Sequence, residues 1–229
     1  MKKVVLSTVV AMTLATSSFA GWGLPSVPSL GADSSKSGAA SLTAAEVDVV
    51  LLNVKDATVL LDKSITKLSS VLLDKDAKAK IDAEMEKAQK ISDTKERDAK
   101  IAEARASNIA ELKKATESTE GKAKLSKLNK EQLKSFASAT FNFSLAGLMD
   151  VAAANLAKDA VQKAAANPMA VMSFASKIDD LKNVVATLPV QAGQIATIGS
   201  KIIDIAKSNK IDLKVPKSTT EKPQASDDA

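Results

Sequence analysis

Cysteine, histidine and tyrosine are missing altogether from the 229 residues. Without cysteine there can be no disulfide framework, no thiolate metal site and no lipid anchor on sulfur. Without histidine the commonest general base and the commonest metal ligand are gone. Any catalysis would have to run on Ser, Thr, Lys, Asp and Glu. Aromatic residues make up only 3 %, and the basic residues are spread along the chain instead of gathered in a stripe. Both features point away from nucleic acid, which is held by basic grooves and stacking rings. Gly/Asn turn pairs of the kind that close β-hairpins are also lacking, and the aliphatic residues fall at helical spacing, so no strand is expected.

What is present begins with an export signal. Lys2 and Lys3 precede an apolar stretch, Val4 to Thr16, and Ser18-Phe19-Ala20 places small residues where a signal peptidase reads. Residues 1–20 therefore read as a cleavable secretory signal cut before Gly21. The apolar run is shorter than the roughly 20 residues of a membrane span. Loss of the two lysines lowers the formal charge from +5 to +3. An exported bacterial-type protein is expected, periplasmic or, alternatively, extracellular. Residues 21–41 are rich in Gly, Pro, Ser and Ala and read as a flexible arm, with Trp22 as its one adhesive side chain.

Residues 42–209 read as an elongated up-and-down helical bundle. Thr43 and Glu46 form a capping box. Beyond it, Val47, Val54, Leu61 and Leu68 recur every seven residues, with Leu51, Thr58, Ile65 and Leu72 as a second row. Val50, Leu60 and Val71 widen this face beyond a strict dimeric seam, which favours a multi-helix bundle. From about residue 74 to 129 dense mixed charge takes over. Glu86/Lys90, Asp76/Lys80, Asp93/Arg97 and Glu96/Lys100 have acid four residues before base, as on a solvated helix. This stretch reads as a protruding charged coiled-coil hairpin, re-capped near Asp93 and pivoting at Gly121.

A second capping box, Asn129 with Gln132, opens the least polar helix. Between Ser135 and Ala157 its one formal charge is Asp150, and Phe136, Phe141, Phe143, Leu145 and Leu148 cover more than one face. Such a helix is either the centre of a bundle or a membrane-seeking segment. Asn142, Ser144, Gly147 and Asp150 suit lipid poorly and favour the centre. Asn167-Pro168 starts a further helix with Met172, Ala175, Ile178, Leu181, Val185 and Leu188 on its buried side. Pro189 is expected to kink or break it, and a last helix carries Ile195, Ile198, Ile202 and Ile205, with Gly193 and Gly199 as packing notches. Residues 210–229, polar and punctuated by proline, read as a disordered tail.

The chemistry-bearing candidates are few. Ser173/Lys177 stand one helical turn apart, a spacing that chance supplies constantly, and Glu84/Glu86 lie on the charged surface. No cofactor or metal constellation is apparent. The reading is an all-α, non-enzymatic protein that binds another protein or an envelope component, a structural or chaperone-like interaction module. Its alternative is a membrane-active protein that binds or inserts into lipid through residues 135–157. Trp22, Phe136, Phe141, Phe143, Leu145, Leu148 and Asp150 are the candidate contacts for membrane or partner. Asp150 is the least ordinary of them, because a buried carboxylate needs a partner or a proton.

Overall fold

A computed structural model describes residues 42–225. The leader, Trp22 and the arm through residue 41 lie outside the described residues. Six α-helices and no strand occur among them. These are α1 (Ala44–Leu72), α2 (Lys75–Gln89), α3 (Thr94–Glu117), α4 (Thr119–Leu125), α5 (Lys130–Ala166) and α6 (Ala175–Ser208). A 3-10 segment, Pro168–Phe174, joins the last two.

The ends of these helices follow local chemistry. Both expected capping boxes form: Thr43 and Glu46 satisfy each other's backbone N–H groups at α1, as do Asn129 and Gln132 at α5. Asp74 caps α2 and Asp93 re-caps the chain at α3, each carboxylate accepting an N–H three residues on. Ser118 ends α3 and at the same time caps α4, its hydroxyl accepting from the Gly121 N–H at 2.9 Å. The pivot is therefore Ser118 and not Gly121, which lies inside α4. A Cβ on Gly121 would fall 2.1 Å from the Ala115 carbonyl oxygen, so glycine serves close approach there.

Helix α5 is the axis of the fold, packed along its length by α1 on one side and α6 on the other. Val47 and Val50, early in α1, share an apolar cluster with Ala153–Ala164, late in α5. Leu61 to Leu72 share another with Phe136 to Ala146. The two helices are thus antiparallel. In α6, Ile178 to Leu188 join the first cluster and Ile195 to Ala206 the second, so α6 runs with α1. Polar ties fix the register: Lys177 with Asp48 at 2.5 Å, Lys201 with Glu117, and Lys163 with Glu46 at 3.8 Å.

The charged stretch protrudes less than its composition suggests. Helix α2 packs chiefly on α3 and buries only Ile81 and Ala88. The second half of α3 belongs to the bundle. Ile109, Leu112 and Thr116, spaced to share one face, are buried between α1 and α6, and Leu125 of α4 joins the same core. Of the expected ion pairs Glu86–Lys90 forms, at 2.5 Å, whereas Lys100 reaches Glu103 at 2.7 Å.

Three further expectations change. Helix α6 continues through Pro189. An interior proline costs about 3 kcal/mol, but Leu181, Val184 and Leu188 before it and Ala192 and Ile195 after it are all buried, and a break would withdraw one set from α5. Met172 and Ala175 are exposed, because the 3-10 segment turns at three residues per turn and shifts the face. Residues 210–225 are not a loose tail. Lys210 takes φ 59, the left-handed conformation that ends α6, and Ile211 N–H closes onto the Ala206 carbonyl at 2.8 Å. Ile211 and Leu213 then pack on the core, Pro216 is buried, and Gln224 is bonded to Asn142 of α5.

Glycines distinguish tight from loose helix contacts. A Cβ on Gly147 of α5 would stand 2.7 Å from Ile195 Cγ2 of α6, whereas one on Gly193 would meet nothing within 4 Å. Gly147, not Gly193, is the packing notch. Gly147→Ala should destabilise by about 1–3 kcal/mol through overpacking against a stiff β-branched side chain. Gly193→Ala should stabilise by about 0.5–1 kcal/mol through backbone entropy alone. Urea unfolding midpoints measure both; equal signs would mean that α5 and α6 approach less closely.

Candidate functional site

The candidate contact residues of α5 are inside the molecule. Phe136, Phe143 and Leu145 have no exposed surface, Phe141 and Leu148 almost none, and the run Ser138–Leu148 is buried without interruption. The bundle-centre reading of this helix is the one observed, and no partner reaches these rings in this conformation. Among the described residues no helix is long and apolar enough to cross a membrane.

Asp150 lies between the two apolar clusters, at the level where neither contributes. It is 0 % exposed. Its Oδ2 accepts a hydrogen bond from Gln191 Nε2 of α6 at 2.7 Å, and Oδ1 is buried with no hydrogen-bond partner. Burial pushes its pKa from 3.8 up to about 6, against the opposing pull of the Gln191 bond and the Arg105 charge. That guanidinium comes from α3 and is itself 9 % exposed. It grips Asp62 of α1 in a two-pronged ion pair, Nε to Oδ1 at 2.6 Å and Nη2 to Oδ2 at 2.9 Å. Asn108 Oδ1, one turn along α3, is also buried without a partner. A polar layer contributed by α1, α3, α5 and α6 thus interrupts an otherwise apolar core. The partners expected for Asp150, Asn142, Ser173 or a lysine, are not the ones used.

The proton on Asp150 has a definite thermodynamic sign. Its folded-state pKa lies above the unfolded value, so the folded chain binds the proton more tightly. The associated stabilisation is complete below about pH 4 and is lost as pH rises through about 6. At roughly 1.4 kcal/mol per unit the effect approaches 3 kcal/mol. Acidification therefore tightens the bundle around α5 instead of releasing it.

The remaining candidates do not assemble into a reacting centre. Ser173 is exposed, and Lys177 is held by Asp48 across the α1–α6 contact. Glu86 is paired with Lys90 on the surface. Among the described residues no group of three or more acidic side chains could hold a metal ion.

Two surfaces escaped the sequence reading. One is an apolar stripe on the outer face of α1, where Val49, Leu52 and Val59 are about half exposed; its spacing was visible, but it looked like an extension of the core face. The other is a groove of about 710 Å³ between α1 and α5, beside the C-terminal strap. It depends on Asn142 meeting Gln224 across 82 residues, for which the sequence carries no local signal. Comparison with known proteins gives no match: no family model, no curated protein and no solved structure is similar to the chain.

Asp150→Asn should raise the urea midpoint at pH 7, by the equivalent of about 1–3 kcal/mol. The gain should fade by pH 4, where the wild-type carboxyl is already neutral. A variant no more stable at pH 7, or one with undiminished pH dependence, would show that Asp150 is ionised without penalty.

Proposed function

We propose that the chain is an exported, non-enzymatic helical-bundle protein that acts by binding another protein or a component of the cell envelope. The observation that carries this reading is the division of labour in the fold. Helices α1, α5 and α6 with the second half of α3 supply a self-sufficient core. Helix α2 and the first half of α3 bury little and present mixed charge to solvent. A stability argument accounts for the first group only. The second costs chain entropy without adding much core, which is expected of a segment kept for contact with something else. Mixed charge of both signs suits a polar, salt-sensitive protein surface.

The leader places that contact outside the cytoplasm, in the periplasm or beyond. The membrane-active alternative has less support. Helix α5 is covered on all sides, and protonation of Asp150 favours its enclosure.

A photo-crosslinking residue at Lys80 or Lys87, both exposed on α2, should give discrete adducts in intact cells, and Thr187 on α6 should not. The processed protein should begin at Gly21. Purified protein should fail to float with anionic liposomes at pH 7 or at pH 5. Absence of adducts at both α2 positions would remove the binding role of the hairpin, and flotation at either pH would restore the lipid reading.

A further inference from the structure

The strap after α6 ends in an unusual contact. The Gln224 N–H donates to Asn142 Oδ1 at 2.8 Å, and the Gln224 carbonyl accepts from Asn142 Nδ2 at 2.9 Å. Both bonds use the main chain of Gln224 and neither uses its side chain. A buried amide that pairs with the N–H and the C=O of one residue recognises extended backbone as a neighbouring strand does, whatever the side chain. Asn142 is only 7 % exposed and projects from α5, so its amide is held in place for this purpose.

The strap leaves the groove incompletely filled. Beside Pro223 and Gln224 about 710 Å³ remains open, with Ala139 and Asn142 as its floor and Val59, Leu60, Lys63 and Lys67 along its α1 side. Asp56 is the acid at its margin against these two lysines. Through Val59 the groove continues into the exposed apolar stripe of Leu52 and Val49. Extended backbone is thus already seated there, positive charge predominates beside it, and an uncovered apolar path leads away from it.

We propose that the α1–α5 groove is a docking site for an extended, acidic segment of a partner protein, with the chain's own strap as the resident competitor. The strap shields Asn142 until a segment with better side-chain complementarity displaces it. Backbone pairing at Asn142 supplies the anchor, and Lys63 and Lys67 select for acidic side chains. This inference rests on the binding reading above and names a surface different from the charged hairpin.

The probe is a fluorescent synthetic peptide of residues 211–229, whose end carries Asp227 and Asp228. It is titrated into the full chain and followed by anisotropy. Gln224→Pro in the protein removes the N–H given to Asn142, so the resident strap should yield and the peptide should bind at least tenfold tighter than to wild type. In that background Asn142→Asp, nearly isosteric but without the amide donor, should lose at least tenfold. Lys63→Glu with Lys67→Glu, both on the surface, should do the same. A peptide carrying Asp227→Lys and Asp228→Lys should bind correspondingly worse. Circular dichroism confirms that each variant is folded. No binding to the Gln224→Pro chain, or affinities indifferent to Asn142 and the two lysines, would overturn the proposal. Concentration-dependent dimerisation of Gln224→Pro that Asn142→Asp abolishes would assign the groove to the strap of a second copy and overturn it equally. Crosslinks from α2 are unaffected by any of these outcomes, so loss of the groove would not be mistaken for loss of the hairpin's role.

Discussion

The structure depends on covering one helix. Helix α5 is apolar around most of its circumference for several turns, and water must be kept from all of it. Two neighbouring helices cannot enclose a cylinder. The antiparallel α1 and the returning α6 take opposite flanks, and the C-terminal strap lies over Asn142 on a side they leave open. The uninterrupted passage of α6 through Pro189 follows from the same requirement. Losing one backbone hydrogen bond costs less than uncovering several buried turns.

The polar layer at Asp150 cuts across this economy. A carboxyl with one oxygen bonded to Gln191 and the other without a partner is a poor stabiliser at neutral pH. What it supplies is uniqueness. Small residues dominate the upper part of α5, where Ala153, Ala154, Ala157 and Ala160 line one cluster and would slide past their neighbours at little cost. A register error of one turn would separate Asp150 from Gln191. The Arg105–Asp62 fork acts in the same way between α3 and α1, where the apolar contact is short. Buried polar pairs often serve alignment more than stability.

How much of this the amino-acid order discloses depends on distance along the chain. Where the determinants lie within a turn, reading succeeded: the boxes Thr43/Glu46 and Asn129/Gln132, the re-capping at Asp93, and the seam through Leu61 and Leu68 are all as expected. Pro189 and Gly121 were misplaced because a local preference was outweighed by burial on both sides of the proline and by the shared cap at Ser118. The strap was missed for a different reason. Its composition is that of an unstructured tail, and only the three-dimensional position of Asn142 explains its order. Asp150 stood out by its surroundings in the sequence, yet its partner 41 residues on did not.

The two joints of the charged hairpin differ in kind. Between α3 and α4 one residue, Ser118, closes one helix and opens the next, so the corner has no slack and any added residue would break both caps at once. At the far end, Lys90 to Asp93 form a short exposed polar turn distant from the core. Foreign sequence placed there would lengthen the tip without touching the bundle. Evolution, or an engineer, has one cheap place to graft a new specificity, and it lies on the element that the bundle itself needs least.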